Sequence, residues 1–99
     1  MDEREITAAL STIDDPELGI DIVSLGLVYG VEAEEDRVRV VYSLTSMGCP
    51  IGPMIDQQIR DAVSQIEGVA AVDTELVFEP PWSPELMSDD ARFLLGVYG

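Results

Sequence analysis

The amino-acid sequence predicts an α+β fold of two layers, a small three-stranded mixed sheet with helices on one face, in the order α-β-β-α-β-α. Three observations carry this. Residues 27–33 and 37–44 alternate apolar and polar side chains on either side of a polar Glu34-Glu35-Asp36 turn, as a β-hairpin does. Ile55, Ile59, Ala62 and Ile66 then recur with a period near 3.6, the stripe of an amphipathic helix. After that helix, Val72 to Glu79 alternates again. A strand, a helix and a strand in succession make a β-α-β unit, so the last two strands are expected to run parallel with a right-handed crossover.

Each element has a local cause. Ile6, Leu10 and Ile13 sit at helical spacing behind an acidic first turn, which predicts a helix over 3–13. Asp14-Asp15-Pro16-Glu17 ends it, because proline drives the preceding residue out of the helical region. Residues 18–26, apolar but punctuated by Gly19 and Gly26, read as a loop with a short turn. In the hairpin, Val38, Val40, Tyr42 and Leu44 share one face. Pro50, Gly52 and Pro53 open the long helix, and Gly68 is its expected C-terminal cap. In the third strand Val72, Thr74, Leu76 and Phe78 share a face, and Pro80-Pro81 terminates it. The chain reads as one domain, 1–99. Its tail, 82–99, contains Ser88-Asp89-Asp90 as a cap for a last short helix with Ala91, Phe93 and Leu94 or Leu95.

Composition narrows the chemistry. The chain has 99 residues, 46% hydrophobic and 25% charged, with 20 acidic side chains against 5 arginines and a formal charge of −15. Folded, it should expose roughly 5,500 Å², about one net negative charge per 370 Å². The charge is even along the chain, −8 over residues 1–50 and −7 over 51–99, so it belongs to the whole surface. Such a field repels nucleic acid and anionic leaflets. Acid excess with arginine as the only cation predicts a protein that works in high salt, where screening relieves self-repulsion; the plainer alternative is an acidic cytosolic protein. Lysine and histidine are absent. That excludes Schiff-base chemistry, the P-loop, Ser-His and Cys-His nucleophile pairs and mixed Cys/His zinc sites. No stretch is long enough to span a membrane, and Met1-Asp2-Glu3 lacks the basic start of a secretory signal. A single cysteine precludes an intrachain disulfide, so a cytoplasmic location is expected.

That cysteine, Cys49, lies in Leu44-Thr45-Ser46-Met47-Gly48-Cys49-Pro50, between the second strand and the long helix. A sulfur just before a helix N-terminus is drawn toward thiolate by the helix dipole, an effect of about 0.3–1 kcal/mol. The negative field opposes this until salt screens it. A reactive or metal-ligating sulfur and a small buried hydrophobe are both open readings. Asp15 and Glu17 read either as a turn cap with Pro16 at its first position, or as carboxylates facing Cys49 to ligate iron or accept a proton. Thr45 is either a hydrogen-bond donor to a cluster sulfide or a β-branched strand residue. Trp82, after two prolines, is a lid on the sheet edge or a partner-binding anchor. One thiolate cannot hold zinc or an iron–sulfur cluster alone, so any cluster must be shared with a second chain or a client, or completed by Asp15, Glu17 or small thiols.

Five motifs in order then carry a resemblance: Asp15-Pro16-Glu17; Asp21 through Tyr29; Leu44-Thr45 with Gly48-Cys49-Pro50; Pro80-Pro81-Trp82; and Ala91-Arg92 with Leu95-Gly96. Together they resemble the MIP18/SufT/PaaD-like family, formerly a domain of unknown function. The resemblance implies an iron–sulfur-assembly-type α+β domain that matures iron–sulfur proteins as a carrier or targeting adaptor, not as an enzyme. It places the family's acidic motif on Asp15 and Glu17, its threonine on Thr45 and its reactive cysteine on Cys49. The implied cofactor is iron or an iron–sulfur cluster, held transiently and shared with a second chain or a client. The implied partners are iron–sulfur client proteins and other assembly factors, with a homodimer as one way to share the cluster. The sequence departs from the phenylacetate-pathway branch in lacking a Cys-rich C-terminal extension, which makes maturation of a phenylacetate oxygenase the less favoured role. It carries no fused ATPase domain, so a P-loop ATPase carrier would be a separate protein. Two rivals remain from the residues themselves: a single-cysteine sulfur-transfer or thiol-redox protein, and a metal-free interaction module that docks through Trp82.

Overall fold

A computed structural model of the chain describes residues 2–16, 18–45 and 52–94. The first helix, α1 (Glu3–Leu10), is capped by Asp2, whose side chain accepts the Glu5 N–H at 2.9 Å. Ile6 and Leu10 bury its inner face. It stops three residues short of the expected end because Ser11 Oγ and Thr12 Oγ1 donate back to the carbonyls of Thr7 and Ala9, at 2.9 and 2.6 Å, competing with the helical ladder.

Pairing appears where the sequence predicts only a helix break and, over 18–26, a loop with a short turn. Two short strands, β1 (Asp14–Asp15) and β2 (Ile20–Asp21), pair antiparallel, Asp14 opposite Asp21 and Asp15 opposite Ile20. The chain reverses between them through Gly19, whose φ of +69° suits a residue without a Cβ. A tight turn follows, with the Asp21 carboxylate accepting Ser24 N–H at 2.9 Å.

The main sheet has the order β3-β4-β5. β3 (Val28–Glu34) and β4 (Arg37–Tyr42) form the expected hairpin, although Glu34 pairs with Arg37, so only Glu35 and Asp36 make the turn. Between Val28 and Gly30 the register slips. Tyr29 is the extra residue of this bulge, and a bulge re-aims the side chain it inserts. β5 (Ala71–Leu76) runs parallel to β4, Arg37 opposite Ala71 and Tyr42 opposite Leu76, as the β-α-β reading requires. α2 (Gly52–Ser64) makes the crossover, burying Gly52, Ile55, Ile59 and Val63. Val63 joins the inner face, and Ala62 and Ile66 pack half-buried against the core; Gly68, with φ +95°, comes four residues after the helix ends and is therefore not the cap expected of it.

One face of the sheet presents Val38, Val40 and Tyr42 to α1 and α2, and these residues with Ile6, Leu10, Ile55, Ile59 and Val63 form the core. The opposite face carries Arg37 and Arg39, which pair with Asp73 and Glu75 on β5. β5 ends at Leu76, before the prolines that were expected to stop it. The chain then forms a strap through a 3-10 turn (Pro84–Leu86) to α3 (Asp89–Leu94). Ser88 caps α3 as predicted, its Oγ accepting Ala91 N–H at 3.2 Å. Ala91 of α3 is buried, whereas Phe93 and Leu94, in the helix as expected, are 70% and 72% exposed; Leu95 lies outside the described residues. No helix among the described residues is long and apolar enough to cross a membrane.

Candidate functional site

The segment that holds Cys49 joins β4 to α2, and its two ends meet. Gly52, the first residue of α2, lies so close to Leu44 that a Cβ added there would stand 3.2 Å from the Leu44 side chain. Asp56, one turn into α2, accepts the Tyr42 phenol at 2.9 Å and the Thr74 hydroxyl at 2.6 Å through Oδ1, and the Arg60 Nε–H at 2.9 Å through Oδ2. Arg60 also donates to Thr74 Oγ1 and to the Val72 carbonyl. One carboxylate therefore ties the start of α2 to β4 and β5. Burial opposes ionisation of Asp56, but hydrogen bonds from Thr74, Arg60 and Tyr42 outweigh it and hold the carboxyl below its ordinary value. Burial first, then the bond and charge of Asp56, push the Tyr42 phenol well above the usual tyrosine range, against a smaller pull from Arg60.

On the other side of the strand end, Ser43 donates its backbone N–H to the Leu27 carbonyl at 2.8 Å. Its Oγ is fully buried and has no hydrogen-bond partner among the described residues. Thr45, two residues on, is half-buried at the edge of residues 46–51. Leu27 N–H in turn bonds Ile22, and Ile22 N–H bonds Ile13, so a short series of backbone bonds links the β1–β2 hairpin to the strand end that leads into Thr45.

In that hairpin Asp15 is only 1% exposed. Its Oδ1 accepts Leu18 N–H at 3.3 Å and its carbonyl accepts Gly19 N–H at 2.7 Å. This is the turn-capping arrangement, with Pro16 the next residue. Glu17 and Cys49 lie outside the described residues. Among the described residues no three Cys, Asp or Glu side chains converge to hold a metal. Trp82 is half-buried against the core, its indole N–H donating to the Leu25 carbonyl at 2.7 Å. Sequence reasoning missed Ser43 and the Asp56 network. The signals for them are faint: a serine in the otherwise bulky run Val40 to Leu44, and an Asp56-Arg60 pair at i,i+4 beside the apolar stripe.

Comparison with known proteins decides what this framework belongs to. The family described as iron–sulfur cluster assembly protein matches residues 3–74. The chain belongs to that family. It is 41% identical over 96 residues to the Fe-S protein maturation auxiliary factor YitW of Bacillus subtilis, covering 96% of this chain and 94% of that protein. It is 46% identical over 84 residues to the Fe-S protein maturation auxiliary factor SufT of Staphylococcus aureus, covering 84% of this chain and 96% of that one. A crystal structure of a family domain from Bacillus anthracis superposes with a TM-score of 0.91 at 38% identity, over 97% of this chain and 92% of that one. The family's matched region spans α1 through most of β5 and so includes Asp15, Thr45 and Cys49.

Proposed function

We propose that this chain is an iron–sulfur maturation factor that takes up iron or a labile cluster through Cys49 and passes it to client proteins. The observation that carries this reading is near-full-length similarity to two proteins named Fe-S protein maturation auxiliary factor, on both sides of the alignment. The site framework supports it in two ways. The Cys49-bearing segment is anchored at both ends, by Leu44 against Gly52 and by Tyr42 against Asp56. The Asp15 hairpin is hydrogen-bonded, through Ile13, Ile22, Leu27 and Ser43, to the strand that leads into Thr45.

In this reading the metal is cargo. Cys49 supplies the soft donor, assisted by Thr45, Asp15 and Glu17. One thiolate leaves most positions on a cluster to other ligands, which makes the bound state short-lived and suited to transfer. The chain acts as a carrier or adaptor in the cytoplasm, without turnover chemistry of its own, and a second copy or the client completes the ligand set. Transfer tests this. Chain loaded anaerobically with iron and sulfide is mixed with an apo iron–sulfur enzyme, and client activity is followed. Wild type should restore activity faster than free iron and sulfide at equal concentration; equal rates would refute the carrier role.

A further inference from the structure

A second feature lies where the C-terminal strap crosses the bulged end of β3. Gly26, Val28, Tyr29, Pro80 and Leu86 line an open cleft of about 380 Å³, the lower end of the size range for ligand sites. Its walls are largely apolar, and Leu86 is 44% exposed within it. The cleft is braced from several sides. Tyr29 Oη donates to the Pro80 carbonyl at 2.9 Å, Trp82 Nε1 to the Leu25 carbonyl at 2.7 Å, and Ser88 N–H to the Ser24 carbonyl at 2.7 Å. Gly26 lets the strap close in: its φ is +77°, and a Cβ there would lie 2.2 Å from the Leu86 carbonyl oxygen. A preformed apolar surface binds without an ordering cost.

The apolar lining sets what seats in the cleft, and the acidic surface around it, as over the rest of the chain, favours a basic partner. Glu79 and Glu85, neighbours in sequence of the lining residues Pro80 and Leu86, are exposed, as are Asp89 and Asp90 just beyond. Against these four carboxylates, residues 77–94 contain one cation, Arg92. A second copy of the chain brings another −15 and so meets this acidic surface less favourably than a basic partner does. We propose that this cleft is the docking site for a basic segment of a partner protein, seating one large apolar side chain of that segment on Leu86 and Val28 while its flanking Lys or Arg residues meet Glu79 and Glu85. This deepens the carrier reading, since a carrier must recognise what it serves. Its test needs no metal, so failure here leaves cluster handling untouched.

The test uses the full chain at the lowest salt at which circular dichroism shows it folded. Short labelled peptides with a Leu-Phe centre flanked by Lys, or by Glu, are titrated by fluorescence anisotropy. Amide shifts then locate the site. The Lys-flanked peptide should bind saturably and shift residues 26–29 and 80–86, and the Glu-flanked one should not bind. Leu86→Ser, at an exposed position, should weaken binding about tenfold. Glu79→Gln with Glu85→Gln should weaken it about threefold and flatten its salt dependence. Absence of saturable binding, equal affinity for both peptides, or affinity unmoved by Leu86→Ser would overturn the proposal. So would a dimer that dissociates in the Leu86→Ser variant.

Discussion

Asp56 Oδ1 accepts the Tyr42 phenolic hydrogen at 2.9 Å, joining the first turns of α2 to the end of β4 at the base of the segment that holds Cys49. Because the same carboxylate also receives Thr74 and Arg60, removing one donor leaves it still bonded. Tyr42→Phe should therefore cost about 1 kcal/mol, the net worth of one hydrogen bond. By thermal unfolding that is a loss of about 4–8 °C for a domain of this size. An unchanged midpoint would show that the bond contributes nothing.

The same pair sets the pH response. The Asp56 carboxyl is depressed in the folded state, so the unfolded chain takes up its proton first as pH falls. Its stabilisation is present at neutral pH and is lost as pH drops through and below the ordinary carboxylate range. The Tyr42 phenol is raised, so its contribution is complete below the ordinary tyrosine value of about 10 and declines as pH climbs above it. In stability-pH profiles Asp56→Asn should flatten the acid limb and Tyr42→Phe the alkaline one. Profiles parallel to wild type on both limbs would contradict this.

Two glycines with positive φ should respond differently to alanine. At Gly26 a methyl group meets the Leu86 backbone, so Gly26→Ala should cost about 3 kcal/mol or more through combined strain and displacement of the strap. At Gly19 nothing lies within 4 Å, and Gly19→Ala should cost about 1 kcal/mol from backbone conformation alone. Denaturant midpoints distinguish the two; equal losses would mean that the strap is not closely packed on Gly26.

Salt should stabilise the chain. With 20 carboxylates against 5 arginines, three of which are paired on the sheet and α2, the surface repels itself at low ionic strength. Circular dichroism should show the fold weakening as salt is removed and recovering at molar concentration. A cooperative fold of equal stability at low salt would count against adaptation to high salt.

Much of the fold is legible in sequence because burial on one face leaves a period. Val38, Val40 and Tyr42 mark β4 at period 2, and Ile55 and Ile59 mark α2 at period 3.6. The β1–β2 pairing is not legible, since two strands of two residues have no period and are held by neighbours such as Ile22 on Ile13. The last helix is legible from its Ser88 cap, and Phe93 and Leu94 fall within it as expected, although exposed. At the site, the turn-capping role of Asp15 follows from the Asp-Pro pattern, whereas the Asp56 network bonds Tyr42 and Thr74, 14 and 18 residues away on either side, across three elements, a convergence that only the folded chain displays.

The most direct test of the maturation role is iron content after anaerobic reconstitution with iron and sulfide, comparing wild type with Cys49→Ala under conditions where both give the same circular dichroism. Wild type should retain iron with visible cluster absorbance after desalting in the presence of a small thiol, and Cys49→Ala should lose both. Equal iron and equal absorbance in the two proteins would remove Cys49 from the mechanism and contradict the account.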